Sequence, residues 1–212
     1  MSAGASGGPE PILIWGAGAF GGSRGAAFLR AGRAVAFVDA DAAHVAAIRD
    51  RGLRIEGPFW TGTVRAPAWE PAEVEGRFER ILLCVKALHA RAAAARLAPH
   101  LAATGCVVSA RNGLNEVAIA EAAGRERTVG CFVNVGADCL APGVVHLGGR
   151  GAVVVGEPDG AETPRLRDLH ALLRLFDDRA VRTDNVWSFL WGKLVYGALL
   201  FATALTDDPI AG

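Results

Sequence analysis

Lysine is almost absent from this sequence, which has only two, Lys86 and Lys193. Arginine supplies the rest of the 22 basic residues, and 22 acidic residues balance them, so the formal net charge is zero. A chain without excess positive charge has no field that would attract nucleic acid or an anionic membrane surface. We therefore predict no nucleic-acid or membrane partner, and we treat the two lysines as candidates for specific roles.

The sequence also lacks a C-x-x-C pair. Of its four cysteines, Cys84, Cys106 and Cys131 lie in apolar, strand-like runs, and Cys139 lies just beyond one. Such scattered cysteines are typical of buried free thiols in a reducing compartment. We predict a cytoplasmic location and no bound metal.

No secretory signal is present at the N-terminus, because residues 1–11 have neither a basic region nor an apolar core. We predict a flexible leader there. One apolar run, from Val186 to Leu205, is as long as a bilayer span. However, Lys193 lies near its middle, where insertion would cost about 2.5–3.5 kcal/mol. We therefore predict a buried helix in preference to the alternative, a membrane anchor.

Strand and helix patterns alternate through the first half of the chain, which predicts βαβ units and a parallel sheet. The strand-like runs include Ile12–Trp15, Ala34–Asp39, Arg80–Val85 and Cys106–Ser109. The helical patterns are Ala19–Ala31, Ala42–Arg51, Leu88–Leu101, Leu114–Ala123 and Pro164–Phe176. After Thr128, three β-rich runs follow one another without helices, so we expect antiparallel strands that extend the sheet.

A glycine cluster follows the first strand and opens the first helix. It reads Gly16-Ala17-Gly18-Ala19-Phe20-Gly21, a G-x-G-x-x-G pattern. Gly16 allows a tight turn, Gly18 lets a pyrophosphate approach the backbone, and Gly21 lets helix and strand pack closely. The free N–H groups at the helix N-terminus then face the phosphates. We predict that these six residues bind a dinucleotide; the alternative is a purely structural turn.

An acidic residue, Asp39, ends the second strand. At this position a carboxylate accepts hydrogen bonds from the adenosine ribose and repels a 2′-phosphate, which favours NAD(H) over NADP(H). The alternative is that Asp39 caps the following helix. Asp41 can take that capping role and leave Asp39 free.

These patterns predict an α/β fold class. Residues 1–184 are expected to form a Rossmann-type dinucleotide-binding domain, with a parallel sheet extended by antiparallel strands. Residues 185–212 are expected to be the first helix of an all-α domain that is cut short. We predict Asp184 as the N-cap of that helix.

Three further residues are candidates for chemistry. Lys86 and Asn112 each follow a predicted strand, where the carboxyl ends of parallel strands border the ligand crevice. The alternatives are a solvated loop lysine and an ordinary Asn-Gly turn. Lys193 lies in an apolar helix, and an ammonium buried there would release its proton readily, as a proton donor requires. For Lys193 the alternatives are a snorkelling side chain and a buried ion pair.

The glycine cluster, CVKA, RNGLNE and WGKL, in this order, resemble the motifs of the ketopantoate reductases (2-dehydropantoate 2-reductases) from about Ile12 to Thr206. The resemblance implies a pantothenate-biosynthesis oxidoreductase that transfers hydride from NADPH to a small 2-oxo acid such as 2-dehydropantoate. It implies that Lys193 is the general acid and that Lys86 and Asn112 contact both cofactor and substrate. It also implies a helical second domain that supplies homodimer contacts.

The sequence departs from this family at the implied substrate wall. The family typically has asparagines four and eight residues after the lysine, where this chain has Gly197 and Phe201. Gly197 is therefore expected to border the substrate without a hydrogen bond. The resemblance points to NADP(H) and Asp39 to NAD(H), so both cofactors stay open. A dinucleotide-binding regulatory protein without catalysis also stays open, although it would not need a proton donor at Lys193.

Overall fold

The structure is a computed structural model that describes residues 10–203. Its strands are β1 (Ile12–Trp15), β2 (Val35–Val38), β3 (Leu53–Glu56), β4 (Gly62–Val64), β5 (Ala68–Trp69), β6 (Phe78–Leu83), β7 (Leu101–Ser109), β8 (Thr128–Val133), β9 (Gly136–Ala141), β10 (Val144–Gly149), β11 (Val153–Gly156) and β12 (Val181–Arg182). Its α-helices are α1 (Ala19–Arg30), α2 (Ala42–Arg51), α3 (Ala87–Leu97), α4 (Asn115–Ala123), α5 (Pro164–Leu173) and α6 (Val186–Thr203). Most of the predicted leader lies outside the described residues.

Eight strands form the main sheet, in the order β12-β11-β8-β7-β6-β1-β2-β5. The predicted parallel sheet is confirmed, since every pairing is parallel except that of β11 with β8. Strand β1 has β2 as its neighbour on one side and β6, which comes later in the chain, as its neighbour on the other. The strand order therefore reverses at β1, and in such sheets ligands bind beyond the carboxyl ends of the strands at this point.

Both faces of the main sheet are covered. Along β1, Ile12 and Ile14 belong to one buried cluster, while Leu13 and Trp15 belong to the other. All four residues are at most 3% exposed. A run of four consecutive apolar residues is what a parallel strand between two layers of helices requires.

The β-rich segment after Thr128 only partly extends this sheet. The antiparallel extension is confirmed for β11, but β9 and β10 join β3 and β4 in a separate four-stranded sheet, in the order β4-β3-β10-β9. This second sheet packs on α1. An added Cβ at Gly22 of α1 would lie 3.1 Å from Leu53 of β3 and 3.3 Å from Val145 of β10. The sequence could not indicate this pairing because β3 and β10 are far apart along the chain.

Two helix ends behave as predicted and one does not. Asp41 caps α2 by accepting hydrogen bonds from the N–H groups of Ala43 and His44, and Gly52 ends that helix with a φ of 85°. Helix α3 ends at Leu97 instead of Leu101, and a short 3-10 turn that contains Pro99 follows. Leu101 already begins β7, which is nine residues long and not four.

Helix α6 leaves the sheet after its first turns. Its N-cap is Asn185 and not the predicted Asp184, because Asn185 Oδ1 accepts a hydrogen bond of 3.2 Å from the Ser188 N–H. Val186 and Leu190 are at most 1% exposed, whereas Trp191 and Val195 are more than half exposed. The predicted burial is thus confirmed only for the start of the helix. Within residues 10–203, no helix is long and apolar enough to cross a membrane.

Candidate active site

A cavity of about 870 Å³ lies at the carboxyl ends of β1, β2 and β6. We call it the rim cavity. Six of the residues predicted from the sequence line it: Gly16, Gly18, Ala19, Phe20, Asp39 and Lys86. The fold therefore brings the glycine cluster, the strand-end carboxylate and the first lysine together at the point where the strand order reverses.

The three glycines of the cluster have different surroundings. Gly16 has a φ of 102°, and an added Cβ there would lie 2.9 Å from the Cys84 backbone. An added Cβ at Gly21 would lie 1.9 Å from the Gly16 carbonyl oxygen, so the close packing of helix on strand depends on this glycine. At Gly18 an added Cβ would meet nothing within 4 Å. The backbone at Gly18 is therefore open to a ligand in the rim cavity, next to the N-terminus of α1.

Asp39 is tied to the glycine cluster as well as to its own loop. Its Oδ2 accepts a hydrogen bond of 2.8 Å from the Ala17 N–H, and its Oδ1 accepts one of 3.0 Å from the Asp41 N–H. A carboxylate oxygen has two lone pairs, so each oxygen can still accept a further hydrogen bond from a ligand hydroxyl. Because Asp41 caps α2, Asp39 is not needed as the cap.

His44, a residue that the sequence reasoning missed, contacts the carbonyl group of Ala17. His44 is 3% exposed, its Nδ1 accepts a hydrogen bond of 3.0 Å from the Gly143 N–H, and its Nε2 lies 3.0 Å from the Ala17 carbonyl oxygen. Since Nδ1 is an acceptor, the ring proton is on Nε2 and is donated to Ala17. The available signal was a histidine in the first turn of an otherwise apolar helix face.

Lys86 and Asn112 differ in their relation to the cavity. Lys86 precedes α3, is exposed and lines the rim cavity, and within the described residues its ammonium has no hydrogen bond or ion pair. Asn112 follows β7 but does not line the cavity. Its side-chain Oδ1 is buried without a hydrogen-bond partner among the described residues.

Lys193 is half-buried and lies near the carboxyl ends of the parallel strands, at the same edge of the sheet as the cavity. Its Nζ donates a hydrogen bond of 2.8 Å to Asn134 Oδ1. Asn134 directly follows β8, which runs parallel to β7, and three residues further on Ala137 begins the part of β9 that lines the cavity. The expected full burial is wrong, since α6 has already left the sheet at this turn. Neither Lys193 nor Gly197 lines the cavity, and an added Cβ at Gly197 would meet nothing within 4 Å.

Arg111 is a second residue that the sequence reasoning passed over, although it adjoins Asn112. It lines the rim cavity, and its guanidinium carbon lies 4.0 Å from the centroid of the Phe20 ring. Partial burial lowers the pKa of Arg111 from its ordinary value.

Three of the four thiols are buried, as predicted. Burial raises the pKa of Cys84 to about 11 and that of Cys131 to about 12, so both stay protonated and are poor nucleophiles. The prediction is wrong for Cys139, which is exposed and lines the rim cavity. It lies in β9, at the open edge of the second sheet. Within residues 10–203, no group of three or more acidic, histidine or cysteine side chains is placed to hold a metal ion.

Sequence comparison identifies the family. The family described as "Ketopantoate reductase PanE/ApbA" matches residues 12–160. A 2-dehydropantoate 2-reductase of Mesorhizobium japonicum is 31% identical over 94% of this chain and 68% of its own length. Among the curated relatives that match, the chain spans 61–68% of their length.

Solved structures show the same fold. A PanE/ApbA family ketopantoate reductase from Ralstonia eutropha JMP134 has a TM-score of 0.79 and 30% identity, and the similarity covers 89% of this chain and 61% of that one. D-mandelate dehydrogenase, in a structure with NADH and anilino(oxo)acetate, has a TM-score of 0.80 over 86% of this chain and 60% of its own. At 24% identity the latter shows the fold alone. The family match covers more than half of the sequence, and this chain belongs to the ketopantoate reductase family.

Proposed function

We propose that this chain is an NAD(P)H-dependent reductase that transfers hydride to the carbonyl of a small 2-oxo acid such as 2-dehydropantoate. The observation that carries the proposal is the convergence of the glycine cluster, Asp39 and Lys86 in one cavity where the strand order reverses. Membership in a family whose curated relatives are 2-dehydropantoate 2-reductases supports the same reaction.

The residues of the rim cavity fit a dinucleotide. The open backbone at Gly18 and the N-terminus of α1 suit a pyrophosphate, and Asp39 keeps lone pairs for ribose hydroxyls. We infer a preference for NAD(H), because Asp39 and Asp41 place two carboxylates where a 2′-phosphate would lie. The family resemblance points to NADP(H), so both cofactors must be measured.

A dinucleotide held by the glycine cluster and Asp39 would supply, from its dihydronicotinamide, the hydride for the carbonyl carbon of the substrate. Lys193 donates the proton to the carbonyl oxygen, which becomes the hydroxyl group of a 2-hydroxy acid. Its hydrogen bond to Asn134 keeps the ammonium at the rim formed by the ends of the parallel strands. Lys86 and Asn112 orient the substrate and the nicotinamide half of the cofactor.

The substrate is proposed to be less polar than 2-dehydropantoate on the side that faces α6. Gly197 and Phe201 follow Lys193 at one and two helical turns, so all three lie on one helix face. Neither residue has a side-chain donor, and a hydroxyl placed against them would lose its hydrogen bonds. A 2-oxo acid with an apolar substituent suits this wall better.

We propose that the boundary between the dinucleotide-binding domain and the helical domain lies at residues 184 and 185, where α6 begins. The family resemblance implies that the helical domain supplies homodimer contacts. The buried free thiols Cys84, Cys106 and Cys131 support a cytoplasmic location.

The first experiment is a titration of the 212-residue chain with NADH and with NADPH. Trp15 lines the rim cavity, so energy transfer from tryptophan to the dihydronicotinamide reports binding. Tighter binding of NADH supports the cofactor assignment, whereas a folded chain that binds neither cofactor contradicts the proposal. A screen of 2-oxo acids by loss of dihydronicotinamide absorbance then separates a reductase from a non-catalytic dinucleotide-binding protein.

A further inference from the structure

Two arginines flank one aromatic ring at the entrance to α1. The guanidinium carbon of Arg111 lies 4.0 Å from the centroid of the Phe20 ring, and that of Arg24 lies 5.6 Å from it. Arg24 is completely buried and Arg111 is half-buried. Two cations therefore lie close together at a helix N-terminus that is itself partly positive.

No carboxylate of the described residues neutralises this pair. Arg24 donates one hydrogen bond of 2.8 Å to the Phe20 carbonyl oxygen, while its Nε and Nη2 have no partner. The guanidinium of Arg111 has no hydrogen bond or ion pair within residues 10–203. By contrast, the half-buried Arg165 is paired with the buried carboxylate of Glu157. Partly buried positive charge without a counter-ion is unfavourable, so an anion at this place would be bound strongly.

The pair lies where an anion in the rim cavity would reach it. Arg111 lines the cavity together with Gly18, Ala19 and Phe20. The Phe20 ring covers one face of the Arg111 guanidinium and leaves its planar edge of N–H donors available, and such an edge binds two oxyanion atoms at once. Arg24 does not line the cavity and acts only through its charge.

We propose that Arg111 binds the pyrophosphate of the dinucleotide, as a second contact beside the glycine cluster. This inference rests on the proposed function. The carboxylate of a 2-oxo acid has the same oxyanion chemistry. The pyrophosphate is favoured because Arg111 stacks on Phe20, whose backbone belongs to the phosphate-facing turn of α1.

The test uses ADP-ribose, which has the pyrophosphate but no nicotinamide, together with NADH. Arg111→Gln should weaken binding of both by about 10- to 100-fold, as expected for loss of a charged hydrogen bond. Arg111→Lys should restore part of the affinity. Arg30→Gln is the matched control, because Arg30 also stacks on an aromatic ring, Trp60, at 4.4 Å but lies outside the rim cavity. It should bind both ligands within about twofold of the unaltered chain.

Each other outcome has a distinct meaning. If Arg111→Gln binds ADP-ribose as the unaltered chain does, the pyrophosphate assignment is wrong. If only the KM for the 2-oxo acid rises, Arg111 binds the substrate carboxylate and the assignment is again wrong. If the unaltered, folded chain binds neither NADH, NADPH nor ADP-ribose, the proposed function itself fails. The thermal unfolding of Arg111→Gln is measured alongside, so that a folding defect is recognised.

Discussion

The Ala17 N–H donates a hydrogen bond of 2.8 Å to Asp39 Oδ2, across 22 residues of sequence. On the other side of the same residue, His44 donates to the Ala17 carbonyl oxygen. Both polar groups of this backbone segment are thus held by side chains that follow β2. The loop conformation is set before a cofactor arrives, which reduces the ordering cost of binding.

Replacing Asp39 by Asn should separate its hydrogen bond to the Ala17 backbone from the effect of its negative charge on cofactor preference. The amide oxygen can still accept from the Ala17 N–H, so the glycine cluster should keep its conformation, but the hydrogen bond from the Asp41 N–H and the negative charge are lost. We expect the ratio of NADPH to NADH affinity to rise by about tenfold. Binding titrations with both cofactors measure this ratio. An unchanged ratio would mean that Asp39 serves only the loop.

Replacing His44 by Ala should lower the free energy of unfolding by about 1–3 kcal/mol, because the Gly143 N–H and the Ala17 carbonyl lose their buried partner. NADH affinity should fall as well. His89→Ala is the control, since His89 is exposed and lines the same cavity. Urea denaturation of both variants provides the comparison, and similar losses would contradict a structural role specific to His44.

Gly18→Ala and Gly21→Ala should affect different properties: the first should lower NADH affinity, and the second should lower stability. At Gly18 an added Cβ meets no protein atom, so stability should stay within about 0.5 kcal/mol while NADH affinity falls. At Gly21 it would overlap the Gly16 carbonyl oxygen, so the protein should be strongly destabilised. Thermal unfolding and NADH titration distinguish the two. Equal stability of both variants would show that helix and strand are not packed as described.

Lys193→Ala should lower kcat by about 10²- to 10⁴-fold and leave NADH affinity nearly unchanged, because the lysine is proposed to act on the substrate alone. Asn134→Ala removes only the hydrogen bond that positions the ammonium. Its kcat should fall less, and Asn134→Gln should recover part of the rate. The rates are measured with a 2-oxo acid that the unaltered chain reduces. A parallel loss of NADH affinity in Lys193→Ala would indicate a structural lysine.

Glu116 should make stability depend on pH. It is 2% exposed, and burial raises its pKa from 4.5 to about 7, although hydrogen bonds from the Ser109 side chain and the Glu116 and Cys131 backbone lower it in part. Between these two pH values the unfolded chain loses a proton that the folded protein keeps. Stability should therefore fall as pH rises from about 4.5 to about 7, by up to about 3 kcal/mol.

The matched variant for this pH effect is Glu116→Gln, which is neutral at every pH. Its stability relative to the unaltered chain should rise across the same pH range and then level off. Denaturant unfolding at several pH values from 4 to 8 measures the difference, and the histidines cancel because both proteins contain them. A constant difference across the range would mean that Glu116 is not buried as described.

Local sequence signals were sufficient for the parallel sheet and the glycine cluster. The apolar run of β1, the spacing of the three glycines and the cap at Asp41 each depend on residues that are close along the chain. Helix α3 was predicted too long, because alanine and leucine continue its pattern past Pro99 into a strand. Pattern alone could not tell where one element ended and the next began.

Contacts between distant segments were decided only by the tertiary structure. The second sheet pairs β3 with β10, and His44 meets Ala17 and Gly143, because packing on α1 brings these segments together. The stacking of Arg111 on Phe20 and the hydrogen bond of Lys193 to Asn134 likewise join separate elements. Sequence by itself determined the residues able to bind and react, since their types and local spacing have direct chemical meaning. Their partners and their burial depend on distances that only the folded chain defines.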